Sequence, residues 1–314
     1  MRIALTYNEK RSASEAEAEF DSPETIHAIA RMLASLGHSV TPVEVSRPVE
    51  AIVAELRRLA PDLVFNMAEG QVGTFREAFY PALFEHLGLP HTGSPASVLA
   101  LCLDKAMAKK IVAAARVHTP RGQLVRRLDE LRPVTCKVIV KPNFEGSSKG
   151  ITQASVVDDP ATLHDVVAGV LARYPAGVLV EEFVEGMDVS VGFVDGLGVL
   201  APIGYAYAAD GPHQIYDLAL KQGPPERIDV HIPARLDELT TSRLVAAAKR
   251  AFAALGVTGY GRADFRVTPE GNVQFLELNP LPSLAPRERD LYAAAAPLGK
   301  APRDLLACIV TAAA

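Results

Sequence analysis

The stretch G-R-A-D-F-R-V-T-P-E-G-N-V-Q-F-L-E-L-N-P, from Gly261 to Pro280, contains two segments of alternating apolar and polar residues around Pro-Glu-Gly-Asn. This pattern predicts a β-hairpin. If Glu270 and Gly271 form a two-residue turn, Asp264 lies directly opposite Glu277. Because side chains alternate along a strand, one face then carries the polar residues Arg262, Asp264, Glu277 and Asn279. The other face would carry Ala263, Phe265, Leu276 and Leu278.

The opposed carboxylates of Asp264 and Glu277 repel each other, because their Cβ atoms would lie roughly 5 Å apart. A raised pKa on one acid, a pairing with Arg262 or Arg266, or a divalent cation could each offset this repulsion. Together with Asn279, the two acids offer only oxygen ligands, which suit Mg²⁺ or Mn²⁺ and not zinc. The hairpin therefore predicts a metal site, and the alternative is a solvated polar face with an arginine paired to the acids.

A second chemical signal lies upstream in V-K-P-N-F-E-G-S-S-K-G, from Val140 to Gly150. Lys141 follows a β-branched run, and the small residues after it allow backbone N–H groups to approach an anion closely. The spacing differs from G-x-x-x-x-G-K-[ST], because the lysine precedes the glycines. The segment is therefore either a phosphate-binding loop of another kind or an ordinary surface turn.

The composition describes a globular protein with more than one domain. The chain has 314 residues, of which 49% are hydrophobic and 22% are charged, and its formal net charge is −5. This weak acidity, without a basic stripe, argues against a nucleic-acid partner. The three widely spaced cysteines argue against a disulfide framework, and no window approaches the length of a membrane span. We therefore expect a cytoplasmic protein that does not enter a membrane.

The order of the apolar patterns predicts three domains. Residues 1–97 alternate between strands and helices as in a doubly wound α/β domain, and Ser22-Pro23-Glu24 begins the first helix. Residues 98–184 start with an amphipathic helix over Leu103–Ala115 and continue with short strands, which predicts a smaller α+β domain. Residues 185–314 contain the hairpin and predict a second α+β domain. Two further predicted strands are Ile151–Val156 and Val199–Ala206.

With both chemical signals in place, the chain resembles ATP-grasp enzymes, and specifically the D-alanine–D-alanine ligase-like branch. The resemblance covers essentially the whole length, with its motifs in the family's order. These motifs are V-I-V-K-P-N-F-E-G-S-S-K-G, V-L-V-E-E-F-V-E-G-M-D-V-S-V, G-Y-G-R-A-D-F, F-L-E-L-N-P, L-G-L-P-H-T-G-S and L-D-K. The resemblance implies a homodimer with a three-domain ATP-grasp fold, in which a doubly wound domain precedes two α+β domains that clamp ATP.

The resemblance also implies which residues bind ATP. Lys105 and Lys141 would hold the phosphates, and Ser147 and Ser148 would belong to the loop that closes over them. Lys221 would contact the γ-phosphate. The residues implied for the adenine base and the ribose are Glu181, Phe183, Val184 and Asp188.

The hairpin acquires specific roles from the same resemblance. Asp264, Glu277 and Asn279 would hold two Mg²⁺ ions, which Mn²⁺ could replace. Arg262 would stabilise the oxyanion of an acyl-transfer step. The implied catalytic residues are Arg262, Ser147 and Lys221.

The chain departs from the family where the amino-acid substrates bind. Tyr7–Arg11 replaces the family's glycine-rich loop and its ammonium-binding glutamate, for which Glu24 is the candidate replacement. Gln71 stands where the family carries an acid, and Gln222 stands where it commonly carries a tyrosine. The charged run after Ser283 offers guanidinium groups for a substrate carboxylate. The candidate substrate contacts are therefore Glu24, Gln71, Gln222, Ser283, Arg287 and Arg289.

These observations predict an ATP-dependent carboxylate–amine ligase for small amino-acid-like substrates. It would form an amide bond through an acylphosphate and release ADP and phosphate. The departures predict that D-alanine does not occupy both substrate sites. The alternatives are an authentic D-alanine–D-alanine ligase, a small-molecule kinase with the same fold, and a nucleotide-binding protein without catalysis.

Overall fold

The computed structural model describes residues 1–207, 212–217, 219–220, 223, 227–285 and 290–314. Within these residues the main strands form three separate sheets. The fold is the predicted α/β architecture. Strands of the second and third sheets line one large cavity, and residues 18–21, Glu69 and Glu77, which lie outside the strands of the first sheet, complete its lining.

The first sheet is parallel and covered by helices. Its elements are β1 (Arg2–Tyr7), α1 (Pro23–Ser35), β2 (Ser39–Glu44), α2 (Val49–Leu59), β3 (Leu63–Met67) and α3 (Arg76–His86). The strand order is β2–β1–β3, as expected for a doubly wound domain. Ser22 caps α1 by accepting a hydrogen bond from the Thr25 N–H at 3.3 Å, which confirms the predicted helix start.

The second sheet is antiparallel and smaller. Its segment contains α4 (Ala96–Leu103), α5 (Lys105–Ala114), β4 (Gly122–Val125), β5 (Val138–Pro142), β6 (Val156–Val157), α6 (Leu163–Arg173) and β7 (Val178–Glu182). The strand order is β4–β7–β5–β6. Apolar residues of α6 pack against β5 and β7, so the opposite face of the sheet is left to the cavity.

The third sheet carries the hairpin. Its segment contains β8 (Met187–Val194), β9 (Gly198–Val199), β10 (Ile203–Tyr207), β11 (Ile228–His231), α7 (Glu238–Leu255), β12 (Tyr260–Val267), β13 (Val273–Asn279), α8 (Asp290–Ala295) and α9 (Pro302–Ala313). The order is β11–β10–β8–β12–β13, with β9 paired to β8. Helix α7 covers one face of this sheet, whereas α9 packs against α1 of the first domain.

Three predicted elements differ from the structure. The helix predicted over Leu103–Ala115 begins only after Asp104, whose side chain caps α5 by accepting from the Met107 N–H at 3.0 Å. The strand predicted at Ile151–Val156 is mostly a short 3₁₀ turn, because Ser155 folds back to accept the Thr152 N–H at 3.0 Å. The strand predicted at Val199–Ala206 is divided between β9 and β10, since Pro202 cannot donate to a sheet.

Candidate active site

The hairpin formed by β12 and β13 has the predicted pairing at its functional end. Asp264 lies opposite Glu277, and Arg262 lies opposite Asn279. All four side chains line the cavity. The paired strands therefore bring two carboxylates, one amide and one guanidinium to the same wall.

The other end of the hairpin corrects the predicted turn. Val267 already pairs with Val273, so the connection is longer than two residues, and a bulge next to Phe265 shifts the register by one residue. Because of the bulge, Phe275 and not Leu276 occupies the buried position opposite Phe265. The expectation that Leu276 faces the core was therefore wrong, and it lines the cavity instead.

Both hairpin carboxylates have a cationic partner, and Asp264 also accepts a hydrogen bond from a hydroxyl group. Asp264 accepts hydrogen bonds from Arg262 Nε at 2.9 Å and Nη2 at 2.8 Å, and from Ser190 Oγ at 2.6 Å. Lys105 Nζ lies 3.1 Å from Glu277. Burial raises the pKa of Asp264, although Arg262 opposes the shift. Burial alone would also raise the pKa of Glu277, but Lys105 and Lys141 outweigh it and lower this pKa to about 2.

A buried carboxylate bridges two lysines on the adjoining wall. Lys141 Nζ lies 2.6 Å from Glu181 Oε1, and Lys109 Nζ lies 2.8 Å from Glu181 Oε2. The side chain of Glu181 is 2% exposed. Burial would raise the pKa of Glu181, but Lys109 and Lys141 outweigh it and lower this pKa. The ammonium groups of Lys105 and Lys141 thus lie on one wall, as a polyphosphate site requires.

The loop after β5 adopts a backbone conformation that suits an anion. Ser147 and Ser148 have φ angles of 53° and 57°, which lie in the left-handed region that non-glycine residues rarely adopt. Ser148 Oγ donates to the Tyr216 carbonyl at 2.8 Å, which ties the loop to the third domain segment. Two strained serines side by side indicate a loop whose shape is imposed by its surroundings.

Residues 15–21 of the first domain, which we call the acidic strap, contact this loop through Glu15 and Glu19. Lys149 Nζ lies 2.6 Å from Glu19 Oε2, and Arg76 Nη2 lies 3.2 Å from the same oxygen. Arg76 Nη1 also donates to the Phe144 carbonyl at 2.6 Å. The Glu15 carboxylate accepts the Gly150 N–H at 2.9 Å. The first domain therefore holds the loop by a hydrogen bond from Arg76 before the two serines, and by the Lys149–Glu19 ion pair and the Gly150–Glu15 hydrogen bond after them.

The first-domain end of the cavity has an excess of carboxylates. Glu19, Glu69 and Glu77 all line it. Burial raises the pKa of Glu77 to about 7, with Arg76 opposing the shift and Glu19 adding to it. Burial also raises the pKa of Glu69 well above its usual range, and the nearby Glu77 and Glu19 add to the shift. These carboxyl groups form an environment in which a cationic group would be stabilised.

Phe183, which follows β7, and Asp188, which lies in β8, form a further group in the cavity lining. Arg266 lies over the ring of Phe183, with its guanidinium carbon 5.5 Å from the ring centroid, and it also forms a short ion pair with Asp188. Tyr207 Oη donates to Asp188 at 2.6 Å. Asp188 therefore has two partners that a ribose would have to share.

The cavity has a volume of about 1240 Å³, and it is lined by strands of the second and third sheets and by loop and helix residues of the first domain. It brings together most residues that the sequence singled out. Those that line it are Lys105, Lys141, Ser147, Ser148, Glu181, Phe183, Val184, Asp188, Arg262, Asp264, Glu277, Asn279 and Ser283.

The remaining predicted residues fall into two groups. Glu24 and Gln71 are exposed and lie outside it. Glu24 is in the first turn of α1, whose buried face turns towards the first sheet. The other predicted contacts fall outside the described residues, and they are Lys221, Gln222, Arg287 and Arg289.

The donor set of the hairpin is compatible with magnesium. Asp264, Glu277 and Asn279 offer oxygen atoms in the same cavity lining as Lys105 and Lys141. Mg²⁺ commonly combines one or two carboxylates with substrate phosphates. Among the residues that the structure describes, no group of three or more His, Cys, Asp or Glu side chains could hold a metal ion. An ion at this wall would therefore depend on Asn279 and on the phosphates as well as on the two acids.

Several charged residues of the site escaped the sequence analysis. Lys109 follows Lys105 by one helical turn, and this spacing could have predicted that both point to the same side. Glu19, Glu69, Arg76 and Lys149 carry no such local pattern, because their partners are far away in the chain.

Comparison with known proteins agrees with this geometry. A family model described as D-ala D-ala ligase C-terminus matches residues 118–311. A D-alanine--D-alanine ligase from Anaeromyxobacter sp. (strain Fw109-5) is 34% identical over 290 residues, which cover 90% of this chain and 87% of that protein. A D-alanine--D-alanine ligase from Citrifermentans bemidjiense is 32% identical over 260 residues, which cover 82% of this chain and 80% of that protein.

Solved structures share the fold across the whole chain. The D-alanine--D-alanine ligase from Bacillus anthracis complexed with ATP has a TM-score of 0.77 at 20% identity, and the match covers 100% of this chain and 97% of that one. The VanG D-Ala:D-Ser ligase from Enterococcus faecalis has a TM-score of 0.77 at 21% identity, with 100% and 99% covered. At these identities the likeness establishes the fold.

The two antiparallel sheets that line one cavity, the parallel sheet before them and these structural matches define an ATP-grasp protein. The chain belongs to the D-alanine–D-alanine ligase family, and it is an ATP-dependent peptide ligase. No described helix has both the length and the apolar character needed to cross a membrane.

Proposed function

We propose that the protein is an ATP-dependent carboxylate–amine ligase that joins two amino-acid-like substrates, of which at least one is not D-alanine. The main support is the set of residues that line the cavity. A single cavity is lined by two lysines suited to phosphates, by the Asp264–Glu277 pair and by Arg262. Phosphoryl transfer and acyl transfer need these groups within reach of one substrate carboxylate.

The first step would transfer the γ-phosphoryl group of ATP to a substrate carboxylate. The carboxylate oxygen bonds to the γ-phosphorus as the bond to the β–γ bridging oxygen breaks, which gives ADP and an acylphosphate. Lys105 and Lys141 would neutralise the phosphate oxygens. Both ammonium groups already face carboxylates at the cavity wall, which supports a role in exchanging anionic partners.

Asp264, Glu277 and Asn279 would hold Mg²⁺, or Mn²⁺ in its place, and we propose two ions. A bound ion supplies positive charge that stabilises the phosphates during transfer. Glu277 suits this role because the neighbouring lysines lower its pKa to about 2, so it stays ionised at neutral pH. Asp264 is kept beside it by Arg262 and Ser190.

In the second step, the amine of the other substrate would attack the acylphosphate carbonyl. The nitrogen loses a proton, the carbon–oxygen bond to phosphate breaks, and an amide forms. Arg262 would stabilise the tetrahedral oxyanion, and Ser283 lines the same cavity. The loop at Ser147 and Ser148, gripped by the strap, would keep water from the acylphosphate.

The first-domain end of the cavity supports a substrate with an amino group. We propose that Glu69 accepts this ammonium, since Glu24 and Gln71 lie outside the cavity lining. If Glu69 takes the place of the family's ammonium-binding glutamate, the surface that recognises the substrate differs from that of the family, which favours a substrate pair other than two D-alanines. Authentic D-alanine–D-alanine synthesis is the second candidate, because the relatives at 34% and 32% identity carry that name. We also propose a cytoplasmic homodimer, which light scattering on the purified protein would test.

The decisive experiment measures free phosphate released from ATP and Mg²⁺ with pairs of D- and L-amino acids and related acids. We expect one pair to be required together, one phosphate per amide formed, and no release by an Asp264→Ala, Glu277→Ala double variant. Release with D-alanine alone would favour the second candidate. ADP formation without free phosphate would identify a kinase, and ATP binding without turnover by any pair would contradict the ligase proposal.

A further inference from the structure

Lys109 is a buried cation beneath the phosphate wall. It lies on α5, and its Nζ atom is 2.8 Å from Glu181 Oε2, 3.1 Å from Thr119 Oγ1 and 3.2 Å from the Phe275 carbonyl oxygen. Its side chain is only 7% exposed, and it does not line the cavity. A residue so placed cannot bind ATP directly, so any effect on ATP must act through Glu181.

Glu181 has a second partner that does line the cavity. Its Oε1 atom is 2.6 Å from Lys141 Nζ, so the carboxylate lies between two ammonium groups. Two positive charges and one negative charge leave a net charge of plus one at this wall. Without the charge on Lys109, Glu181 and Lys141 would cancel, and an arriving phosphate would compete with a buried carboxylate for the same lysine.

We propose that Lys109 is a positioning residue for ATP binding, which neutralises Glu181 and so leaves the positive charge of Lys141 available to the phosphates. This inference rests on the proposed role of Lys141 in holding ATP. It requires no contact between Lys109 and the nucleotide. It also assigns Glu181 a role as the carboxylate that holds Lys141 in position.

The protonation of Lys109 gives the inference a pH dependence. Burial lowers the pKa of Lys109 to about 8, with Glu181 opposing the shift. The charged groups around it are Glu181 on β7, Lys141 on β5 and, further away, Glu277 on β13. Because Lys109 loses its proton as the pH rises through this value, ATP affinity of the wild type should fall over the same range.

Calorimetric titration of ATP in the presence of Mg²⁺ tests the inference with five variants. Lys109→Met should weaken ATP binding by about 10- to 100-fold, as expected for the loss of one nearby charge in a partly buried site. Lys141→Met should weaken it at least as much. Lys110→Met is the matched control, because Lys110 is the next residue on the same helix and is exposed. It should bind ATP like the wild type.

Charge compensation separates this role from a merely structural one. A Lys109→Met, Glu181→Gln double variant removes both buried charges and leaves Lys141 unpaired, so it should bind ATP more tightly than Lys109→Met alone. Lys109→Arg keeps its charge at alkaline pH, so its ATP affinity should stay constant where that of the wild type falls. Lys109→Arg also serves if Lys109→Met does not fold.

Two results would overturn the inference while the proposed function stands. One is ATP binding by Lys109→Met that equals binding by Lys110→Met, although Lys141→Met has lost affinity. The other is an equal alkaline loss of affinity in Lys109→Arg and the wild type. If the wild type itself does not bind ATP, the proposed function fails, and this inference fails with it.

Discussion

The cavity has two groups of charged residues, which use their charge differently. The phosphate end contains Lys105, Lys141, Arg262 and their carboxylate partners, and the first-domain end contains Glu19, Glu69, Glu77 and the cations that face Glu19. At the phosphate end, Lys105 and Lys141 hold carboxylates at the cavity wall, so a polyphosphate can share their charge. At the first-domain end, Arg76 and Lys149 are directed at Glu19 and do not belong to the cavity lining. We therefore propose that the first set serves the chemistry, whereas the second fastens the strap to the loop.

This difference predicts a separation of effects. Substitutions of the cations at the phosphate end should lower activity more than stability, because Lys105, Lys141 and Arg262 line the cavity in which the reaction is proposed. Substitutions at the first-domain end should lower stability more, since they leave a buried charge without its partner.

Arg262→Met should give the largest effect, and it should be an effect on turnover. We expect kcat to fall by about 10²- to 10³-fold, as when one oxyanion donor is removed from an acyl-transfer site. Stability should change little, because Asp264 keeps its bond from Ser190 and its side chain, at 17% exposed, still reaches solvent. Phosphate release and urea unfolding measure the two quantities.

Two further variants bracket that result. Arg262→Lys keeps the charge but loses the two parallel bonds to Asp264, so its kcat should lie between those of Arg262→Met and the wild type. Arg250→Met, which alters an exposed arginine of α7, should leave kcat unchanged. A kcat for Arg262→Met equal to that of Arg250→Met would remove Arg262 from the proposed mechanism.

Arg76→Met should give the largest loss of stability. Removing one partner of a buried ion pair costs about 3 kcal/mol, because the remaining carboxylate stays desolvated. Glu19 would keep only Lys149, and the Phe144 carbonyl would lose its donor. Arg58→Met is the control, since its ion pair with Glu55 is exposed and worth about 0–1 kcal/mol.

Denaturant unfolding of both proteins decides the matter. Equal unfolding free energies for Arg76→Met and Arg58→Met would show that the strap is not what fastens the loop. A Glu19→Gln, Arg76→Met double variant should recover part of the loss, because it removes the stranded carboxylate together with its partner.

The two ends also differ in how far the sequence predicts them. At the phosphate end, the hairpin is one continuous stretch of sequence, so an assumed turn and the alternation of side chains placed Asp264 opposite Glu277. That pairing was predicted from a turn that is too short. The observed connection is longer, and the bulge beside Phe265 compensates by one residue, so the functional end keeps the predicted register.

The first-domain end could not be derived in this way. Glu19 meets Arg76 at a sequence separation of 57 residues and Lys149 at a separation of 130. No periodicity links such residues, and each alone resembles an ordinary surface charge. Glu24 was a reasonable candidate by position near the first helix, but the face it occupies is fixed by packing of α1, which only the structure reveals.

Glu77→Gln should change the pH dependence of stability. Burial raises the pKa of Glu77 to about 7 in the folded protein, so the folded state retains a proton that the unfolded chain releases at lower pH. The free energy of unfolding therefore falls as pH rises between about 4.5 and about 7. Glutamine mimics the protonated acid, so the variant should gain about 2 kcal/mol on the wild type between about pH 5 and about pH 8.

Urea unfolding at the two pH values measures this gain. Glu50→Gln, an exposed acid of α2, should show the same pH profile as the wild type. Parallel profiles for Glu77→Gln and the wild type would mean that Glu77 is ionised in the folded protein, and that the first-domain end already holds enough positive charge.

Glu69→Gln should give the smallest effect, confined to one substrate. If Glu69 accepts the substrate ammonium, the KM of that substrate should rise about tenfold, which is the value of a hydrogen bond between charged groups. The KM of ATP should not change, because the proposed function assigns the ATP phosphates to Lys105 and Lys141 and assigns only the substrate ammonium to Glu69. Glu24→Gln, at an exposed position outside that lining, should leave both constants unaltered.

The pH dependence of this KM distinguishes ammonium binding from mere proximity. Burial and the neighbouring Glu77 and Glu19 raise the pKa of Glu69, which favours its protonated form in the free protein. An arriving ammonium would favour the ionised form, and its binding should release a proton. The wild-type KM should therefore fall as pH rises, and Glu69→Gln should lose that slope. A slope that persists in Glu69→Gln and disappears in Glu24→Gln would instead place the ammonium outside the cavity.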